Sequence, residues 1–256
     1  MTKTILFQGD SITDCGRARL EITDPGYPRT GLGPGYPYLI ATRLLCDRGR
    51  DFQFYNFGIS GNRIVDLYAR WKADCINLHP DILSILIGVN DTWHEKSRRN
   101  GVEVPRYEQF YRMLMDWTLK ELPDIGIVLL EPFVFPFGAV SEDWLDEIAQ
   151  RGEVVRRIAN DYHAVFVPLQ SVLNNALNVA PQEHWLGGRR ASDARRTSAD
   201  CRCLAQGGGA SAAMNVRVAF PFSRIASAPC REKSSFQASA SGAERFRTGD
   251  AEREIS

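Results

Sequence analysis

The chain has 256 residues, with 31 Lys and Arg against 31 Asp and Glu, and 44% of its residues are hydrophobic. This length and hydrophobic share suffice for one α/β domain with a sizeable core. The charge is uneven, because residues 189–256 carry 12 Lys and Arg against 7 Asp and Glu, a net +5, which leaves −5 on residues 1–188. An acidic body argues against nucleic-acid binding.

Membrane insertion and secretion are not predicted. The first residues lead directly into a strand without a charged-then-apolar leader, and no run approaches the roughly 18 apolar residues of a membrane span. The cysteines show no spacing typical of a zinc site or a secreted disulfide framework; they are Cys15, Cys46, Cys75, Cys201, Cys203 and Cys230. We therefore expect a cytoplasmic protein with free thiols.

Five short apolar segments predict strands, and five segments with helical periodicity predict helices. The strands are expected at residues 4–8, 52–57, 82–87, 125–130 and 164–167, and the helices at residues 38–48, 64–76, 107–122, 144–162 and 171–179. Loops are expected at residues 17–37, beside the predicted site, and at residues 98–105 and 131–140. Alternating strands and helices predict a doubly wound parallel sheet, because each parallel connection needs a crossover helix.

Polar turns that contain glycine follow the first three predicted strands. Their sequences are Gly9-Asp10-Ser11-Ile12-Thr13, Asn56-Phe57-Gly58-Ile59-Ser60-Gly61-Asn62-Arg63 and Gly88-Val89-Asn90-Asp91. The carboxyl ends of parallel strands lie at one edge of the sheet, where ligands bind in open α/β folds. Taken singly, each turn also has a structural explanation: a helix cap around Ser11, a positive φ at Gly58, or a turn residue at Asn90.

Together, the three turns resemble in order and context the first three sequence blocks of the SGNH hydrolases, the GDSL-type esterases and lipases. The resemblance covers about residues 3–188 and is carried by Gly9-Asp10-Ser11, Gly58 and Asn90. It implies a flavodoxin-like three-layer α/β/α sandwich whose five-stranded parallel sheet has the order 2-1-3-4-5. It also implies a serine esterase for small acyl esters, with acetylated sugars among the candidate substrates, that uses no metal or cofactor.

The resemblance assigns a role to each matched residue. Ser11 would be the nucleophile, and the backbone N–H groups of Ser11 and Gly58 would form an oxyanion hole with the side-chain amide of Asn90. Such donors stabilise the negative oxygen that develops during ester hydrolysis. Asp10 and Asp91 are expected to be structural hydrogen-bonding groups rather than acids.

The general base of this family is a histidine in a D-x-x-H-P block near the carboxyl terminus, and the sequence contains no such block. His79 and His163 precede strands, at the edge opposite Ser11. His94 follows the asparagine turn on the expected edge, but Glu95 is the only carboxylate beside it. His184 lies near the expected place without the surrounding motif. No histidine is predicted to be the base.

The composition changes at residue 189, after which Tyr and Trp are absent and Ser, Ala, Gly and Arg dominate. One interpretation is a disordered basic tail. The other is a shifted reading frame that leaves the last helix missing or corrupted. Residues 188–198 can be encoded so that reading from the second nucleotide gives D-G-V-H-P-T-P-A-G-H, followed by P-L-I-A-G-A-W. The predicted units are therefore a hydrolase domain at residues 1–188 and a frame-shifted tail at residues 189–256.

Without its Asp/His block, the chain is expected to be an impaired esterase. The alternative is a non-catalytic protein of the same fold that binds an acylated ligand. A nucleotide-binding protein of flavodoxin type is disfavoured, because no phosphate-binding glycine motif follows the first strand. The sequence leaves the acyl chain length, the alcohol and the oligomeric state open.

Overall fold

A computed structural model of the chain describes residues 2–24, 27, 30–48, 51–136 and 140–179. The predicted tail at residues 189–256, including the expected last helix, lies outside the described residues, as does His184. Within the described part, no helix is both long enough and apolar enough to cross a membrane.

Five parallel strands form one sheet in the order β2-β1-β3-β4-β5. They are β1 (Lys3–Gly9), β2 (Phe52–Asn56), β3 (Ile82–Leu86), β4 (Gly126–Leu130) and β5 (Val165–Val167). The central strands are nearly continuous apolar runs because both of their faces are covered. All five predicted strands and the strand order implied by the family resemblance are confirmed.

Seven α-helices accompany the sheet in the described residues. They are α1 (Ser11–Asp14), α2 (Tyr36–Arg48), α3 (Ile64–Asp74), α4 (Val89–Arg98), α5 (Val104–Glu121), α6 (Leu145–Asp161) and α7 (Leu169–Ala176). The five predicted helices are present. Helices α1 and α4 were not predicted, since α1 spans only four residues and α4 is mostly polar and lacks an apolar stripe.

The sheet separates two apolar clusters, and together they make the three layers that the resemblance implies. Ile5 and Phe7 of β1 face one side, where α2 and α7 pack through residues such as Ile40 and Leu173. Leu6 faces the other side, where α3, α5 and α6 pack. This alternation along β1 follows from the two-residue period of a strand. The sheet is thus fixed from both faces, and its carboxyl edge is free to carry the polar turns.

Candidate active site

Ser11 lies at the carboxyl end of β1, an interior strand between β2 and β3, as the first residue of α1, and is 8% exposed. Asp10 caps this helix, because its Oδ1 accepts the backbone N–H of Ile12 at 2.9 Å. A Cβ at Gly9 would lie 2.3 Å from both the Leu86 carbonyl oxygen and Thr13 Oγ1, so only glycine fits where β1 meets β3 and α1. The capping interpretation is therefore correct for Asp10, and it leaves Ser11 at the edge of the sheet.

Asn56, at the end of β2, organises the second turn from a fully buried position. Its Nδ2 donates to the carbonyl oxygens of Thr13 at 2.7 Å and Leu32 at 2.8 Å, and its Oδ1 accepts the Gly58 N–H at 2.9 Å. The N–H that was expected to face an oxyanion is therefore bonded to Asn56 instead. The sequence analysis predicted no role for the Asn56 side chain, although Asn56 is the first residue of the second polar turn.

Gly58 is required by close packing rather than by an unusual backbone angle, since its φ is not positive. A Cβ there would lie 2.4 Å from the backbone nitrogen of Asp14. Its carbonyl oxygen accepts Arg17 Nε and Arg19 Nη1, both at 3.1 Å. Gly58 therefore joins the second turn to α1 and to the loop that follows α1.

Gly61, three residues after Gly58, has two properties that the sequence analysis considered for Gly58, which are a positive φ and an N–H available to an acceptor. Its φ is +85°, and a Cβ added there would meet nothing within 4 Å, so one side of the residue is open. Among the described residues, its backbone N–H has no hydrogen-bond partner. Both glycines lie in the same sequence block, but they differ in φ, in the space for a Cβ and in the bond from the Gly58 N–H to Asn56.

Asn90 lies in the first turn of α4, directly after β3, and is 5% exposed. Its Nδ2 donates to the Asn62 carbonyl oxygen at 3.1 Å. Since a carboxamide nitrogen carries two hydrogens, this bond leaves one for another acceptor. Gly88, before the helix, has φ +136°, and Tyr107 donates its hydroxyl to the Ile87 carbonyl at 2.9 Å.

Hydrogen bonds join the three turns to one another. The backbone N–H of Ile59 donates to the Gly9 carbonyl at 3.0 Å, which joins the second turn to the first. The Asn90 bond to Asn62 joins the third turn to the second, and Asp91 Oδ1 strengthens this junction by accepting the Ile64 N–H at 3.1 Å. These hydrogen bonds hold together, at one edge of the sheet, the turns that contain Ser11, Gly61 and Asn90.

Two buried carboxyl groups lie beneath this edge. Burial raises the pKa of Asp10 to about 7, and the charge of Asp91 adds to the increase. Burial also raises the pKa of Asp91 to about 7, against the opposing charge of Arg151. Both accept backbone N–H groups, which is the structural role expected from the sequence.

The described histidines lie where the sequence placed them. His79 and His163 precede β3 and β5, both with positive φ. His94 is in α4, where burial, followed by the charges of Arg63 and Arg98, lowers its pKa. Glu95 is used elsewhere, since its Oε2 accepts the Gly101 N–H at 3.0 Å. Within the described residues, no carboxylate hydrogen-bonds to His94.

The chain matches the GDSL-like lipase/acylhydrolase family over residues 7–191. An acetylxylan esterase from Geobacillus stearothermophilus is 37% identical over 180 residues, which are 68% of this chain and 78% of that protein. The chain belongs to the GDSL-like lipase/acylhydrolase family. It is therefore an ester-bond hydrolase of the SGNH/GDSL type with the α/β fold described above.

Solved structures of GDSL-like proteins share this fold. A GDSL-like lipase from Parabacteroides merdae has a TM-score of 0.67 and 36% identity, covering 82% of this chain and 98% of that one. A catalytic mutant of an acetylxylan esterase from Geobacillus stearothermophilus has a TM-score of 0.66 and 32% identity, covering 88% and 94%. The catalytic mutants of that esterase replace a serine, an aspartate or a histidine by alanine.

Proposed function

We propose that the chain is a serine esterase for small acyl esters, with acetylated sugars of the xylan type as its substrate class. The observation that carries this proposal is that hydrogen bonds join three family-matched turns at one edge of the sheet, with Ser11 at the end of the interior strand β1. The substrate class is supported by the acetylxylan esterase relative. The reaction would pass through an acyl-serine at Ser11, which splits ester hydrolysis into two easier steps.

The oxyanion of that reaction would be bound by the Ser11 backbone N–H, the remaining Asn90 amide hydrogen and the Gly61 backbone N–H. Gly61 would take the role that the family resemblance implied for Gly58, because the Gly58 N–H is already bonded to Asn56. The open side and free N–H of Gly61 support this choice within the described part of the chain. Removing one oxyanion donor typically costs roughly 10²–10³ in kcat.

We expect the absence of the Asp/His block to lower the rate of ester hydrolysis, because the block supplies the general base in this family. The related esterase has catalytic mutants at an aspartate and a histidine, whereas no D-x-x-H-P block is present in this sequence. Loss of a triad member leaves a residual of roughly 10³–10⁴ over water, which comes from binding and the oxyanion hole. We infer that the chain as written retains only this residual activity.

Hydrolysis of p-nitrophenyl acetate and of acetylated xylo-oligosaccharides tests the proposal. The full chain is compared with Ser11→Ala and with a frame-restored version, whose gene is read from the second nucleotide of the Gly188 codon. We expect weak Ser11-dependent hydrolysis by the chain as written and a rate higher by several orders of magnitude in the frame-restored version. Equal rates in the two versions would contradict the proposed loss of the base, and no Ser11-dependent hydrolysis in either would contradict the esterase.

The absence of the block also favours a second candidate, a protein that binds an acylated ligand without cleaving it. This candidate predicts that the chain as written binds acetylated xylo-oligosaccharides in calorimetry and leaves the acetyl groups in place. Sequencing the source gene across the codons for residues 186–190 separates the two cases. An uninterrupted frame favours the binding protein, and a shifted frame favours the esterase.

A further inference from the structure

Arg151 of α6 is fully buried and hydrogen-bonds to the first turn of α4. Its Nε donates to Thr92 Oγ1 at 3.0 Å, and its Nη2 donates to the Val102 carbonyl at 2.6 Å and to Glu147 Oε1 at 2.5 Å. The guanidinium carbon also lies 5.0 Å from the centre of the Tyr107 ring. Every one of these partners lies in α4, α5, α6 or the segment between α4 and α5.

Stability alone is a weak reason to bury this charge. Removing a guanidinium from water is costly, and replacing a buried ion pair by apolar side chains is often neutral or even stabilising. Arg151 Nη1 and Asp91 Oδ2 are moreover buried without a hydrogen-bond partner among the described residues. The buried hydrogen bonds that Arg151 does make are directional, and buried polar networks make the local structure rigid and unique, which points to a role in fixing geometry.

The contacts of Arg151 fix the Asn90 turn from both sides. On one side, the bond to Thr92 holds the residue two positions after Asn90. On the other side, Arg151 packs on Tyr107, whose hydroxyl holds the Ile87 carbonyl three positions before Asn90.

Val102 closes the arrangement, since its N–H donates to the Asp91 carbonyl at 3.1 Å and its own carbonyl accepts from Arg151. Residues 87–92 are therefore held between α5 and α6. The turn needs such support because Gly88 has φ +136° and α4 begins without a side-chain cap.

We propose that Arg151 is a positioning residue for the Asn90 oxyanion donor. This inference rests on the proposed esterase function. An oxyanion donor is effective because it is already aimed before charge develops, and a displacement of about 1 Å can cost roughly 10²-fold in rate. Arg151 would act on kcat through Asn90 without touching the substrate.

The test is a double-mutant cycle on the full chain, measured as hydrolysis of p-nitrophenyl acetate. The rate of the Ser11→Ala variant is subtracted from each rate, so that only Ser11-dependent hydrolysis is compared. Arg151→Met is expected to lower the Ser11-dependent kcat by about 10- to 100-fold and to leave KM within about twofold. In an Asn90→Ala background, Arg151→Met is expected to lower kcat by less than about twofold, because the donor that it positions is gone. Equal losses in both backgrounds would overturn the proposal.

Thr92 provides a second pair of variants in case Arg151→Met folds poorly. Thr92→Val removes the Oγ1 acceptor while Arg151 stays, and it is expected to lower kcat at least about fivefold. Thr92→Ser keeps an acceptor and is expected to recover most of that loss. Val155→Ala is the matched control, because Val155 is a buried residue of α6 in the apolar cluster. If Val155→Ala lowers kcat as much as Arg151→Met does, the effect is loss of folded protein and the proposal fails.

The failure of this inference and that of the proposed function are distinguishable. A parent chain with Ser11-dependent hydrolysis that Arg151→Met leaves unchanged overturns only the role of Arg151. Where the chain as written shows no such hydrolysis, the same cycle is measured in the frame-restored version. Absence of Ser11-dependent hydrolysis from both versions overturns the esterase and the role of Arg151 together.

Discussion

Asp10 and Asp91 show how single residues at this edge couple its geometry to pH. Each accepts a backbone N–H that fixes a turn, and each is a buried carboxyl group whose pKa is raised to about 7 from an ordinary value of 3.8. Protonated carboxyl groups are therefore favoured in the folded state more than in the unfolded state. Their contribution to stability is complete below about pH 4 and is lost as pH rises through about 7.

We predict that Asp10→Asn reduces this loss of stability. Asparagine keeps an oxygen that can accept the Ile12 N–H but cannot ionise. The free energy of unfolding, measured in urea at intervals from pH 4.5 to 7.5, should fall less steeply with pH in the variant than in the parent. Asp124→Asn, at an exposed position, is the control and should keep the slope of the parent. A variant slope as steep as that of the parent would contradict the prediction.

The two glycines of the second turn are predicted to differ in what they contribute. Gly58→Ala would place a Cβ 2.4 Å from the backbone nitrogen of Asp14 and should cost about 3 kcal/mol of unfolding free energy. Gly61→Ala meets no atom within 4 Å and should cost only about 1 kcal/mol, for its positive φ. Urea unfolding of both variants measures the difference, and a larger loss of unfolding free energy for Gly61→Ala than for Gly58→Ala would contradict this prediction.

At the scale of elements, the strands and long helices were predictable because burial alone determines their patterns. The run Ile82–Leu86 is covered on both faces, and α5 shows the periodicity of a helix with one buried side. Helix α4 was not predictable in this way. Its sequence is polar, and its first turn is held by tertiary contacts from Tyr107 and Arg151 that are distant in sequence.

The same limit applies to our proposal that Gly61, rather than Gly58, is an oxyanion donor. The family resemblance located the block, and the strand pattern placed it at the correct edge of the sheet. Which N–H in the block is free depends on the buried side chain of Asn56, which also bonds carbonyl groups of Thr13 and Leu32. Asn56 is 43 residues from Thr13 and 24 residues from Leu32, and hydrogen bonds between residues so far apart leave no periodic pattern in the sequence. The strand order likewise came from the resemblance, and periodicity could not have supplied it.

For the whole molecule, the two faces of the sheet are covered by different numbers of helices in the described residues. Helices α3, α5 and α6 pack over one face, whereas α2 and α7 pack over the other in the described part of the chain. Large apolar side chains are exposed on and beside α2 and α7, with Val179 at 81%; the others there are Tyr38, Leu45 and Leu177.

We predict that the chain as written is poorly soluble and binds a hydrophobic dye such as ANS more strongly than its frame-restored version. An exposed apolar flank favours both dye binding and association. Dye fluorescence, light scattering and thermal unfolding of the two versions at equal concentration provide the measurement. A monomeric, highly soluble product with a sharp thermal transition would contradict this expectation.

The hydrogen bonds that join the three turns run between residues 9 and 59, between residues 62 and 90 and between residues 64 and 91. The proposed nucleophile and its proposed oxyanion donors all belong to the first half of the chain, whereas the proton acceptor of the family belongs to the block that this sequence lacks. A diffusible substitute can therefore act on a preformed site. Imidazole in solution is expected to accelerate Ser11-dependent ester cleavage by the chain as written in proportion to its concentration, with far less effect on the frame-restored version.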